Sequence, residues 1–183
     1  MIHEVLEDIV DEEFLEFVCD KLRKEAQWSI GAGPTEEVSS RITEDIRCET
    51  GFIYKCYQRE TINLPVFSSL ADYIVYNYIK KSNFIWEGLN LDRMFYNYYN
   101  SGSSGVFHED YSYDNCISLL INLNDNDGGT EIEDTFVSSK AGRLISFDSN
   151  MQHRGVGPSD YQQRFALNIV FQYTNKVAKL KED

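Results

Sequence analysis

The chain holds only three histidines, His3, His108 and His153. One opens the triplet His108-Glu109-Asp110. In extended backbone, residues i and i+2 point to the same side, so His108 and Asp110 can converge on one ion. His153 follows a strand-like segment, Arg143–Phe147, after a short turn. Two imidazoles and one carboxylate on one side of a metal leave coordination positions open. That is the donor set non-heme iron uses when a substrate and O₂ must both reach it. Taken singly, each piece is weak, because a His-x-Asp arises by chance and a lone histidine is usually an ordinary core or surface residue.

Arg164 strengthens the pattern. It heads the mostly apolar run Arg164-Phe165-Ala166-Leu167-Asn168-Ile169-Val170-Phe171. A buried arginine is costly unless an anion answers it, and no acidic residue stands two or four positions later. A guanidinium grips a carboxylate through two parallel hydrogen bonds. A diacid held by Arg164 at one end could chelate the metal at the other. Pairing within the chain, with Asp148 or Glu131, is the alternative.

These groups need rigid elements to hold them. Apolar residues recur at steps of three and four over 4–26, from Val5 and Leu6 through Leu15, Val18 and Leu22, which predicts an amphipathic helix there. The run Asp11-Glu12-Glu13 reads as its solvated face. Gly31-Ala32-Gly33-Pro34 is a break, and residues 35–60 read as a loop with one strand around Phe52-Ile53-Tyr54. Leu64-Pro65 opens a second helix near 65–81, with Pro65 in its first turn and Phe67, Leu70, Ala71, Ile74, Val75, Tyr78 and Ile79 as its apolar stripe. Beyond Ser82 the period shortens. Arg93–Tyr99, Ile117–Leu123, Arg143–Phe147 and Phe165–Tyr173 read as strands. Turns fall at Asn126-Asp127-Gly128-Gly129 and Lys140-Ala141-Gly142. Helices followed by short strands predict an α+β fold with a double-sheet core.

Composition narrows the function. The 183 residues suit one domain. Mainly helical support over 1–82 and the strand-rich core over 83–175 are its two parts. A formal net charge of −13 opposes a nucleic-acid partner or an anionic membrane surface. The four cysteines, Cys19, Cys48, Cys56 and Cys116, include no C-x-x-C pair, so a cysteine zinc site is not indicated. A Cys48–Cys56 bridge stays open. With no basic leader followed by an apolar core, the expected location is a reducing cytoplasm.

The ordered pieces from Tyr99 to Phe171 resemble the Fe(II)/2-oxoglutarate-dependent dioxygenases, and within them the prolyl 4-hydroxylase-like group. Tyr99-Asn-Ser-Gly102 with Phe107-His108-Glu-Asp110 is similar to the family's opening motif. Leu123-Asn124-Asp125 and Asp127-Gly128-Gly129-Thr130-Glu131 resemble its central turn. Gly142–Phe147 leading to His153-Arg154-Gly155-Val156 resembles the approach to its distal histidine, and Arg164 begins its last strand. The match covers roughly 75 residues; residues 1–80 add no motif.

The resemblance implies a double-stranded β-helix, or jelly roll, braced by N-terminal helices. It implies that His108, Asp110 and His153 bind Fe(II), and that Arg164 holds the far carboxylate of the cosubstrate 2-oxoglutarate. Tyr99, Asn122 and Asn168 are candidate cosubstrate contacts. O₂ would be consumed, with ascorbate as an accompanying reductant. The products would be succinate, CO₂ and a hydroxylated C–H carbon of a peptide, protein or small molecule, with a peptidyl proline as the leading candidate. Asn122 replaces the expected tyrosine, and Ala166 stands where some relatives carry serine. Asp110 departs from the halogenating branch, and Val170 from the second arginine of the nucleic-acid demethylases. The competing reading is a cupin-like metal-binding jelly roll without redox turnover. Such a module has no use for a buried Arg164.

Overall fold

The computed structural model describes residues 1–30, 52–58, 61–62, 65–159 and 162–179. In chain order the elements are β1 (Ile2–Leu6), α1 (Glu12–Glu25), β2 (Ser29–Ile30), β3 (Phe52–Gln58), β4 (Thr61–Ile62), α2 (Pro65–Lys81), β5 (Phe84–Glu87), β6 (Asn90–Asn100), β7 (Cys116–Asn122), β8 (Gly129–Ile132), β9 (Thr135–Ser138), β10 (Leu144–Asp148), β11 (His153–Val156), β12 (Gln163–Gln172) and β13 (Asn175–Ala178). The break at 31–34, Cys48 and most of the expected 35–60 loop lie outside the described residues.

The expected helix over 4–26 is corrected at its start. Ile2–Leu6 is a strand that pairs antiparallel with β10, Val5 opposite Ile145 and Leu6 opposite Leu144. The chain then turns at Asp8, whose φ is 51°, and the helix begins only at Glu12. Helical periodicity is local, whereas the free edge of β10 lies some 140 residues away in sequence and offers unpaired backbone groups that a strand can satisfy. Asp11 caps α1 by accepting the Phe14 N–H at 2.8 Å. Glu12 and Glu13 lie in the first turn, Arg23 and Lys24 in the last, each complementing the helix dipole. The acidic run is therefore a cap and a first turn as well as a solvated face. The second helix stands where its spacing predicts it.

Among the described residues the strands form three antiparallel sheets. The largest runs β1-β10-β7-β12-β6-β3-β2, with β4 joined to β3. A smaller one runs β11-β8-β9, and β13 pairs with β5. The fold is thus a mixed α and β architecture of antiparallel sheets with two helices.

The large sheet separates two cores. Met94, Tyr96, Ile117, Leu119, Ile121, Phe165, Leu167 and Ile169 pack with Leu15, Val18, Leu22, Phe67, Ala71, Ile74 and Tyr78 of the helices. The opposite face carries Leu120, Ile145, Phe147 and Ala166, which meet Ile132 and Met151 from the side of the small sheet. β7 is buried throughout, and so is β12 between its ends, which explains their near-continuous apolar sequences. By the two-residue alternation, Arg93, Phe95, Asn97 and Tyr99 of β6, Ser118 and Asn122 of β7, and Arg164 and Asn168 of β12 all share the face turned toward the small sheet.

Candidate active site

Backbone hydrogen bonds place the metal-type ligands. His108 and His153 form an isolated antiparallel bridge: the His108 N–H donates to His153 O at 3.0 Å and the His153 N–H to His108 O at 2.9 Å. The next turn is pinned by Asp110 and Tyr111, whose N–H groups both donate to Ser149 O, at 2.9 and 3.1 Å. His-x-Asp and the distal histidine are therefore stitched together by main chain, and the side chains inherit that placement.

Each imidazole is oriented through its inner nitrogen. His108 Nδ1 lies 2.9 Å from Val106 O, and His153 Nδ1 lies 2.9 Å from Met151 O. A carbonyl only accepts, so both Nδ1 atoms carry the hydrogen and both Nε2 lone pairs remain free. Those lone pairs face Asp110, at 3.7 Å from Oδ1 for His108 and 3.6 Å from Oδ2 for His153. The three ligand atoms lie within 4.8 Å of one another. Burial pulls both histidines down to about 4, with the neighbouring His153 adding to the shift of His108. At neutral pH both are unprotonated, as metal ligation requires.

Asp110 is held at both of its oxygens. Ser118 Oγ donates to its Oδ2 at 2.5 Å, and Asn168 Nδ2 donates to the same oxygen at 3.2 Å. Arg93 forms an ion pair with Oδ1 through Nη2. A buried carboxylate needs such partners, and ligands held this way are pre-oriented for a metal.

Arg164 stands deeper, fully buried. Its Nη2 donates to Thr130 Oγ1 at 2.8 Å and Asn122 Oδ1 at 3.2 Å, while Nε and Nη1 have no partner among the described residues. Burial lowers its pKa to about 10, partly countered by Tyr99, so it is a cation at pH 7. Neither expected internal partner serves it. Glu131 accepts Arg154 Nε at 2.6 Å, and Asp148 faces His3 Nε2 at 2.8 Å. Burying a cation is costly unless an anion answers it.

The other expected contacts divide between two ends. Tyr99 pairs with Arg164 across β6 and β12, and its ring centroid lies 5.2 Å from the guanidinium carbon. Burial pushes the Tyr99 phenol up, so it stays protonated and can donate. Asn122 also accepts Ser139 Oγ at 3.1 Å, and its Nδ2 has no partner among the described residues. Asn168 sits instead at the Asp110 carboxylate.

Four residues of the site were not singled out by the sequence. Thr130 carries a signal, since it closes the Gly128-Gly129 turn. Ser118 and Arg93 carry none, because their role depends on which strands become neighbours. Gly155 acts by lacking a side chain: a Cβ there would run into the Tyr99 ring and hydroxyl.

Known structures share this architecture. A Pseudomonas putida prolyl-4-hydroxylase is similar with a TM-score of 0.61 and 17% identity, over 92% of this chain and 91% of that one. The chain has the fold of the 2OG-Fe(II) oxygenases. A Trichoplax adhaerens prolyl hydroxylase in complex with a hypoxia inducible factor peptide shares the oxygenase fold with a TM-score of 0.58 and 19% identity, over 93% and 82% of the two chains. Streptomyces hygroscopicus HygX, with nickel, 2-oxoglutarate and hygromycin B bound, shares it at 0.60 and 11%, again over 93% and 82%. No family model and no curated protein matches the chain. No helix among the described residues is long and apolar enough to cross a membrane.

Proposed function

We propose that the protein is an Fe(II)- and 2-oxoglutarate-dependent dioxygenase that hydroxylates a C–H bond. One observation carries the reading. A ligand-type His108/Asp110/His153 cluster and an unanswered buried guanidinium, Arg164, face the same space between two sheets. We further read those sheets as a double-stranded β-helix in one domain, supported by the helices and, through β1 and β3, by strands of the first half. A cytoplasmic location goes with this reading.

The donors fit the group. Two free Nε2 lone pairs and one carboxylate suit Fe(II) with open positions, and the partnerless Nε and Nη1 of Arg164 suit a carboxylate. His108, Asp110 and His153 would hold the metal, and Arg164, with Thr130, Asn122 and Tyr99, the cosubstrate. When bound, iron and 2-oxoglutarate supply the oxidising power from O₂, with succinate and CO₂ released.

The chain's own work is orientation. Val106 and Met151 carbonyls keep the imidazole lone pairs outward. Ser118 and Asn168 keep Asp110 from rotating. Tyr99, protonated, offers a hydrogen bond beside Arg164, and the surrounding Leu120, Ile132, Phe147 and Ala166 exclude water. The likeness to prolyl hydroxylases makes a peptidyl proline the leading substrate; HygX, crystallised with hygromycin B, marks small molecules as the other class.

The test is anaerobic titration with Fe(II) and then 2-oxoglutarate, followed by 2-oxoglutarate consumption in O₂. Wild type binds both and consumes the cosubstrate; Asp110→Ala does not. Absence of metal and cosubstrate binding in the wild type sinks the reading.

A further inference from the structure

A second guanidinium stands at the other end of the same space. Arg93 and Tyr99 share the inward face of β6, six residues apart, which is roughly 20 Å of extended strand. Arg164 lies opposite Tyr99, and Val170 lies opposite Arg93. The two cations therefore serve different ends, with the His108/Asp110/His153 cluster beside the Arg93 end. The Arg93 side chain is 19% exposed. Its guanidinium lies 5.3 Å from the Phe95 ring centroid and 5.7 Å from that of Tyr111. Aromatic faces on a guanidinium hold its plane and leave its edge to meet a planar anion.

Arg93 is only partly answered. Nη2 pairs with Asp110, and Nε is buried without a partner among the described residues. Asp92, its chain neighbour, lies at the irregularity where the β6–β12 register shifts; its carboxylate accepts the Tyr111 hydroxyl, and its charge also reaches Arg93.

We propose that Arg93 is a specificity residue that binds a carboxylate of the substrate. This inference rests on the dioxygenase reading. It adds that the oxidised molecule is acidic next to the carbon that reacts. The carboxylate is either the terminus of a free amino acid or an Asp or Glu side chain in a peptide. The guanidinium would then turn from Asp110, where a metal takes over the neutralising charge, toward the incoming acid.

Thermal unfolding tests this without turnover. Protein loaded with zinc and 2-oxoglutarate is mixed with the free amino acids, with their C-terminal amides, and with proline-containing peptides that differ only as Asp against Asn or Glu against Gln. The proposal expects at least one acid to raise Tm by about 3–6 °C at ten times its Kd while its amide partner does not. The responding arm tells a free amino acid from an acidic peptide. Arg93→Gln loses the difference, and Arg93→Lys keeps part of it through its point charge. Acids and amides acting alike, no acid acting, or an unchanged difference in Arg93→Gln each overturns the proposal. The acid–amide contrast in wild type stands even if Arg93→Gln folds poorly. Zinc and 2-oxoglutarate raise the wild-type Tm if the dioxygenase reading holds. If they fail to do so, that reading falls; if they do so with no acid–amide contrast, only the Arg93 inference falls.

Discussion

Two arginines share the inner face of the large sheet at different ends, Arg164 fully buried and Arg93 partly exposed, and they are stabilised in opposite ways. Arg93 has a charged partner, Asp110, and neutralises it. Arg164 has only a hydroxyl and an amide oxygen, and two of its nitrogens bond to nothing among the described residues. The protein tolerates an unanswered cation at one end and compensates its carboxylate at the other. The difference separates a cation that already holds an ion-pair partner from one that holds none among the described residues.

Removing Asp110 breaks the comparison most severely. Asp110→Ala takes away a proposed metal ligand and leaves the partly exposed Arg93 without its ion-pair partner. Metal binding should weaken by more than about 100-fold, and the unliganded protein should lose on the order of 3 kcal/mol of stability. Calorimetric metal titration and denaturant unfolding check both.

Removing Arg164 should act with the opposite sign on stability. Arg164→Met deletes an unanswered buried cation and keeps its bulk. The unliganded Tm should stay level or rise, while 2-oxoglutarate binding weakens by about 100-fold or more. A fall in unliganded stability as large as that of Asp110→Ala would erase the distinction between the two ends.

Acid sharpens it more gently. The folded-state pKa values of His108 and His153 lie near 4, below the ordinary 6.5. Below 6.5 the unfolded chain takes up protons that the folded chain refuses. The stability these groups contribute is complete above pH 6.5 and is lost as pH falls toward 4. Unfolding midpoints measured from pH 7.5 to 4 should fall across that window, and metal affinity with them. His153→Gln should flatten the slope.

The smallest effect belongs to Gly155. Gly155→Ala should push the Tyr99 ring from its seat beside Arg164 and weaken 2-oxoglutarate binding by about 10-fold, with metal affinity unchanged. A titration with each ligand separates the two readouts.

Part of this was legible along the chain. α2 and the apolar strands β7, β10 and β12 follow from their periods, and the His-x-Asp, the distal histidine and Arg164 from residue type and order. These signals are local, because a helical stripe or an apolar strand is written in neighbouring residues. β1 was not legible: its hydrophobic residues fit a helix as well as a strand, and only the exposed edge of β10 decides between them.

The sequence by itself determined the chemical inventory, namely which donors exist, which arginine heads an apolar strand, and a net charge of −13 that disfavours nucleic acid. Tertiary structure decided the partnerships. It set Arg93 on Asp110 and left two nitrogens of Arg164 without a partner among the described residues. It gave Tyr99 its seat on Gly155 and turned both Nε2 lone pairs toward one carboxylate. Those outcomes depend on strands paired far apart in sequence, where register fixes which side chains share a face, and no local pattern encodes register across such distances.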